Sequence, residues 1–281
     1  MFAGMLVFVG HFFEELSASA SKHAFAGRVF TYILYGFLIE SMAVLMFGGA
    51  ALFQGHSLHY NIDALPLFAL RIFSEFLQCE VVFRALANVD RSTFSFTRVL
   101  TIPLLLVVDI AMGYTITNVE FLGIGIILVV LLSYFAGGKI HGKGIGLALV
   151  SAVLSVVNLT LYKYDITHYN AAAISQFYIS LALFSIYATR LVFSREDRQL
   201  LVQMKAHPLL GFSFVSQAFS SLLISLAYQY APASLILAFS RACSVLWSLV
   251  SGVFYFHEEN VLRKVFAFAL IIVGLFVLVH K

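Results

Sequence analysis

The stretch "HFFEELSASASKHAF", residues 11–25, sets two adjacent carboxylates, a histidine and a lysine inside an otherwise apolar run. An ionisable side chain in hydrocarbon costs about 2.5–3.5 kcal/mol on insertion scales, so such groups face a bundle interior and serve a pathway or one another. At helical spacing His11, Glu15, Ser19 and Lys22 share one face, and Glu14, Ser17 and Ser21 form an adjoining one. A polar wedge this wide, rich in serine and alanine, suits a helix lining an aqueous cavity. Glu15 has two readings: a carboxylate neutralised by His11 or by an arginine of another helix, or a group that tunes its neighbour together with His11. Glu14, read as lacking a partner three or four residues away, is the candidate to take up and release protons.

Other ionisable residues fall in apolar runs, unevenly. The first half carries Glu40, Arg71, Glu75, Glu80, Arg98 and Asp109, whereas the second has little beyond Lys163, Arg190, Arg241 and the helix-end His257 and Glu258. Arg71 and Glu75, four apart, share a face with Gln78 and are either an internal ion pair or substrate contacts. Glu80 and Arg84 read as an internally neutralised pair. Arg98 and Arg241 could bind an anionic group or hold helices together. Tyr178, Tyr187, Tyr228 and Trp247 are aromatic-site candidates whose alternative is the interfacial belt. Cys79 and Cys243 read as buried thiols. No nucleophile–base pair, metal constellation or phosphate loop is visible, so neither an enzyme nor a cofactor is expected.

The elements that must position these residues are membrane helices. Hydrophobic residues make up 61% of the chain and charged ones 11%, with a mean hydropathy of +0.96. Apolar runs at about 2–25, 29–51, 65–88, 92–113, 120–137, 144–167, 170–192, 206–230, 233–255 and 262–280 predict an all-α integral membrane protein of ten spans. The runs are continuous, which argues against a barrel of short alternating strands. The first run has no basic flank or small-residue cleavage site and is expected to remain as the first helix.

The second half repeats the first. Lys22 matches Lys163, Pro66 of "PLFALRIFSE" matches Pro208 of "PLLGFSFVSQ", Ser74 and Glu75 meet Ser216 and Gln217, and Arg98 of "SFTRVL" meets Arg241 of "AFSRAC". With five spans per copy, residues 1–138 and 139–281 form two repeats of opposite orientation, a transporter architecture with its site between the copies. Basic residues gather on alternate loops: Lys22, Arg28, Arg84, Arg91, Lys139, Lys143, Arg190, Arg195, Arg198, Lys205, Arg263 and Lys264 on one side, Lys163 and Lys281 on the other. That bias places the basic loops in the cytoplasm and both termini outside it. It also accounts for the net charge of +3 without a nucleic-acid partner.

Glu14 and Lys22 in "FFEELSASASK" resemble the first helix of small multidrug resistance proteins, whose equivalent glutamate exchanges protons for cationic drugs. From "SLAYQYAPAS" through "FHEENVLRKVFAFALIIVGLFVLV", including Glu258 and Gly274, the chain resembles the C-terminal helices of an EamA-type domain. Together these features resemble the drug/metabolite transporter superfamily in its ten-helix form. The resemblance implies a secondary transporter, an exporter of a small polar or amphipathic metabolite, in the cell membrane as a monomer or homodimer. Glu14, Glu15 and His11 would handle protons. Lys22, Arg71, Glu75, Arg98, Lys163, Gln217 and Arg241 would bind substrate or gate. Ser155 stands where the Glu14 carboxylate would repeat. The alternative is a non-transporting scaffold or lipid-binding assembly partner that keeps the fold.

Overall fold

The computed structural model describes residues 2–26, 31–55, 58–111, 118–136, 144–194, 208–230, 233–257 and 261–279. The elements in chain order are α1 (Phe2–Ala26), α2 (Tyr32–Phe53), α3 (Leu65–Asn88), α4 (Arg91–Val99), α5 (Thr101–Ala111), α6 (Asn118–Ala136), α7 (Ile145–His168), α8 (Ala172–Phe193), α9 (Pro208–Tyr230), α10 (Ala233–Phe254) and α11 (Val261–Val279). A single 3-10 turn, Ile62–Ala64, leads into α3, and no strand occurs among the described residues. The helices α2, α7 and α8 and the segments Gly211–Tyr228 and Ile236–Phe254 are long and apolar enough to cross a bilayer. The chain is thus all-α and built as a multi-pass membrane protein. Leu45, Phe53, Phe121, Leu132, Phe193 and Leu262 stand exposed on its outside, where lipid rather than water would be their solvent.

Local chemistry sets the helix ends. Thr31 accepts a hydrogen bond from Leu34 N–H at 3.2 Å and caps α2. Asn61 caps the 3-10 turn through Asp63 N–H at 3.0 Å, and Pro66 falls in the first turn of α3, where a missing N–H costs nothing. The continuous span expected over 92–113 is instead two helices that meet at Leu100. Pro103 cannot donate to the Val99 carbonyl, and its ring crowds that oxygen. The chain tightens at the break, with Leu100 N–H donating to Thr97 O at 3.1 Å.

The helices pack in a recurring set of pairs. α1 lies against α9 and α10; α7 lies against α3 and against α4 and α5; α2 faces α8, α6 faces α11, and α4 faces α10. One core, with Phe96, Val99, Ile127, Leu131, Val245 and Ile271, ties α4, α6, α10 and α11 together. A second, with Leu34, Tyr35, Phe83, Tyr187 and Phe214, ties α2, α3, α8 and α9.

The α2–α8 contact depends on a missing side chain. A Cβ on Gly36 would stand 2.6–2.8 Å from atoms of the Tyr187 ring, which is fully buried and cannot retreat. Gly36→Ala is therefore expected to destabilise the protein by about 1–3 kcal/mol through overpacking. Gly146→Ala, where an added Cβ meets nothing within 4 Å, is the matched control. Equal unfolding midpoints for the two variants in detergent would show that α2 and α8 are not in close contact.

Candidate functional site

The two carboxylates of α1 point into different surroundings. Glu15 is 6% exposed and fully engaged. Arg91 donates from Nε to its Oε1 at 3.1 Å and from Nη2 to its Oε2 at 2.5 Å, a bidentate clamp from α4. Ser19 and Ser251 hydroxyls donate to Oε1 at 2.9 and 2.5 Å. Of the two readings of Glu15, neutralisation by an arginine of another helix is the one its contacts match. Arg91, expected in a cytoplasmic loop, is 4% exposed at the start of α4.

Glu14 is 23% exposed and lines a cavity. It does have a partner at spacing three: His11 Nδ1 lies 2.5 Å from Glu14 Oε2, correcting the expectation that no such partner exists. His11 is held by Ser240 of α10 through Nε2, and Arg98 Nη1 approaches Glu14 Oε1 at 3.5 Å. Arg241, expected to be the counterpart of Arg98, is buried and donates from Nε to Thr101 Oγ1 at 2.8 Å. Thr101 in turn donates to Arg98 O at 2.7 Å, at the C-terminal end of α4. Thr101 thus links the Arg241 side chain to the Arg98 backbone where α4 gives way to α5.

The cavity has a volume of about 410 Å³. Its polar lining comes from Glu14 on α1, Glu40 on α2, Glu75 and Gln78 on α3, Arg91 and Arg98 on α4, Tyr162 on α7, Gln176 and Ser180 on α8, and Gln217, Ser220 and Tyr228 on α9. Between them lie Ile39, Ala43, Phe47, Leu159, Ile179 and Leu183. The lining draws on α1, α2, α3 and α4 and on α7, α8, α9 and, through Ser244, α10. Gln78 donates to Ser155 at 2.9 Å and accepts from Asn158, so two neutral side chains of α7 hold the cavity-lining Gln78 in place.

Behind the lining residues Glu75 and Tyr162 lies a dry ion pair. Arg71 and Asp165 are both 0% exposed, with Arg71 Nη1 donating to Asp165 Oδ2 at 3.0 Å and to Ser175 Oγ at 2.5 Å. Ser175 also donates to Oδ2 at 2.5 Å, and Asn170 Nδ2 donates to Oδ1 at 2.8 Å. Asn170 Oδ1 accepts from Asn61 N–H at 3.0 Å, so one network joins α3, α7, α8 and the α2–α3 connection. Beside it in that connection, burial and then the Asp165 carboxylate push the Tyr60 hydroxyl up to about 12. The Arg71–Glu75 pair expected from spacing is only a distant contact, 3.9 Å.

The remaining candidates are scattered. Lys22 Nζ donates to Val89 O at 3.0 Å and sits over the Phe256 ring, fastening the end of α1 to the end of α3. Lys163 is exposed on the outside of α7, away from the cavity. Glu80 receives Arg84 at 3.2 Å and Arg190 at 2.6 Å. The Asp109 side chain, Glu258, and the loop residues Arg28, Lys139, Lys143, Arg195, Arg198 and Lys205 lie outside the described residues. Asp165 goes unflagged in the sequence although it falls within a span opposite an equally buried Arg71, and a search for charge-complementary residues in different spans could have found it. Among the described residues, no cluster of His, Cys, Asp or Glu has the grouping of a metal site.

No family model and no curated protein matches the chain. Among solved structures, one crystal structure, described only as that of a protein, superposes with a TM-score of 0.61 over 99% of this chain and 97% of its own, at 16% sequence identity. The likeness is one of fold, and it runs the full length of both chains.

Proposed function

We propose that the chain is a secondary membrane transporter of the drug/metabolite transporter type, exporting a small polar or amphipathic metabolite through alternating access of two inverted five-span repeats. The observation that carries the reading is the cavity of about 410 Å³, lined by carboxylates, arginines and aromatic rings drawn from both halves of the chain. A polar chamber inside an apolar helix bundle is the expected form of a midplane substrate site. The packing pairs add support. Exchanging the first five spans for the second five carries α1–α9 into α3–α7 and α1–α10 into the α4/α5–α7 contact, and returns α2–α8, α4–α10 and α6–α11 to themselves. Two copies related by a two-fold axis would pack in this way, which supports the reading.

In this reading Glu14 couples flux to a proton gradient, His11 and Arg98 adjust it, and Glu15 is structural. Basic loops lie in the cytoplasm, and one chain encloses the site. The test is electrical current from proteoliposomes on rapid addition of amino acids, sugar phosphates and organic cations, with and without a pH gradient. A gradient-dependent current is expected from the wild type and none from Glu14→Gln. Unchanged current in that variant would remove Glu14 from the mechanism. A sealed, inert protein across the panel would favour the non-transporting scaffold.

A further inference from the structure

We propose that the Glu40/Glu75 wall of the cavity binds the ammonium group of a primary or secondary amine whose compact apolar body fills the space between the helices. The inference deepens the transporter reading above and rests on it in taking the cavity for the substrate site.

The argument begins with where positive charge is missing. Around Glu14 it is already in place, since His11 lies at 2.5 Å and Arg98 at 3.5 Å, with Arg241 within electrostatic reach. Around Glu40 it is not. This side chain is 8% exposed in the middle of α2 and has the Ser180 hydroxyl and the like charge of Glu75 for its polar surroundings. Glu75 has Arg71 at 3.9 Å, but that guanidinium is engaged with Asp165 at 3.0 Å. Among the described residues, these two carboxylates face one chamber with only the engaged Arg71 guanidinium near Glu75, an arrangement costly in a low-dielectric interior, and an arriving cation relieves both.

A second, independent observation points the same way. Ser220 Oγ, on α9, is buried, lines the same cavity and makes no hydrogen bond, and the Tyr162 hydroxyl on α7, buried in the same wall, has only the loose approach of Ser225 and Gln176. Buried polar atoms are rarely left so. Each can accept an N–H, which a protonated amine offers and a quaternary ammonium does not. One face of the Tyr162 ring already carries the Arg71 guanidinium at 5.2 Å, and the Tyr228 ring, 6.5 Å away between centroids, offers a face that attracts a cation. The walls between are aliphatic, Ile39, Ala43, Ile179 and Leu183 among them, and would be wasted on an inorganic ion. The volume lies in the range of small-molecule sites, roughly 300–1,000 Å³.

The test is equilibrium binding to the full chain in detergent by calorimetry, with phenethylamine as probe and phenethyl alcohol and 3-phenylpropionate as neutral and anionic counterparts of similar shape. The amine is expected to bind at least about 10-fold more tightly than either. Glu40→Gln and Glu75→Gln should each weaken the amine by about 10-fold or more and leave the alcohol unchanged. Glu40→Asp, which keeps the charge, should retain most of the affinity. If the Gln variants fail to elute as folded protein, the ranking of the three probes on the wild type and the loss of amine affinity in Tyr162→Phe still decide. Equal binding of amine and acid, or amine binding that survives both Gln variants, overturns the proposal. Flux in proteoliposomes separates the two levels. A solute moved by a protein that binds no amine ends this inference alone, whereas amine bound but nothing moved ends the transporter reading alone.

Discussion

Replacing Asp165 with asparagine is expected to cost about 3–5 kcal/mol of stability, because it leaves a fully buried arginine without its counter-ion. The introduced amide can keep hydrogen bonds to Ser175 and Asn170 but supplies no charge, and the nearest substitute is Glu75, 3.9 Å from Arg71. Glu75 can swing part of the way, so the double variant Asp165→Asn with Glu75→Gln should fall further than the two single losses added. Adding Arg71→Met to Asp165→Asn should instead recover most of the loss, since removing both charges of a buried pair is far cheaper than removing one. Unfolding of the purified variants in detergent–denaturant mixtures measures all of this. If Asp165→Asn unfolds with the wild type, the network joining α3, α7 and α8 is not what fixes those helices.

The helices were legible in the sequence and their partners were not. Hydropathy marks a span because burial in lipid demands an apolar run, a one-dimensional property. The break at Leu100 escaped because the stretch 92–113 stays apolar through it, and only Pro103 betrays the lost bond. Side-chain partners depend on how spans are arranged in the plane. The spacing rule that joins His11 to Glu14 within α1 also joins Arg71 to Glu75, where it is overridden by Asp165, 94 residues away. Arg91 illustrates the same limit. As a basic residue between two apolar runs it reads as a loop charge, and the carboxylate that draws it inward lies 76 residues earlier. Arg98 and Arg241, two arginines inside apolar runs, were legible as candidates from composition alone, and both act electrostatically on Glu14.

Glu15→Gln should destabilise the protein by about 3–5 kcal/mol, while Glu14→Gln next to it should leave the unfolding midpoint near that of the wild type. Successive helical residues point roughly 100° apart, which here separates a packed interface from a chamber. At position 15 the substitution removes the charge from two short bonds to Arg91, whose side chain is 4% exposed, and weakens two serine contacts, one of which helps hold α10 against α1. At position 14 the amide loses His11 and a 3.5 Å contact to Arg98, but it borders a cavity that can take up water. A compensating pair checks the cause: Arg91→Met combined with Glu15→Gln should lie well above Glu15→Gln alone, because the buried cation has gone. Ligand binding supplies the other half. Glu15→Gln protein that remains folded at low temperature reaches the chamber only through Arg91, which lines it, so restoring neutrality with Arg91→Met should remove any effect on ligand binding that comes from the released cation. A large stability loss at position 14 with none at 15 would mean that the two carboxylates exchange surroundings in the functioning protein, and would move the structural role to Glu14.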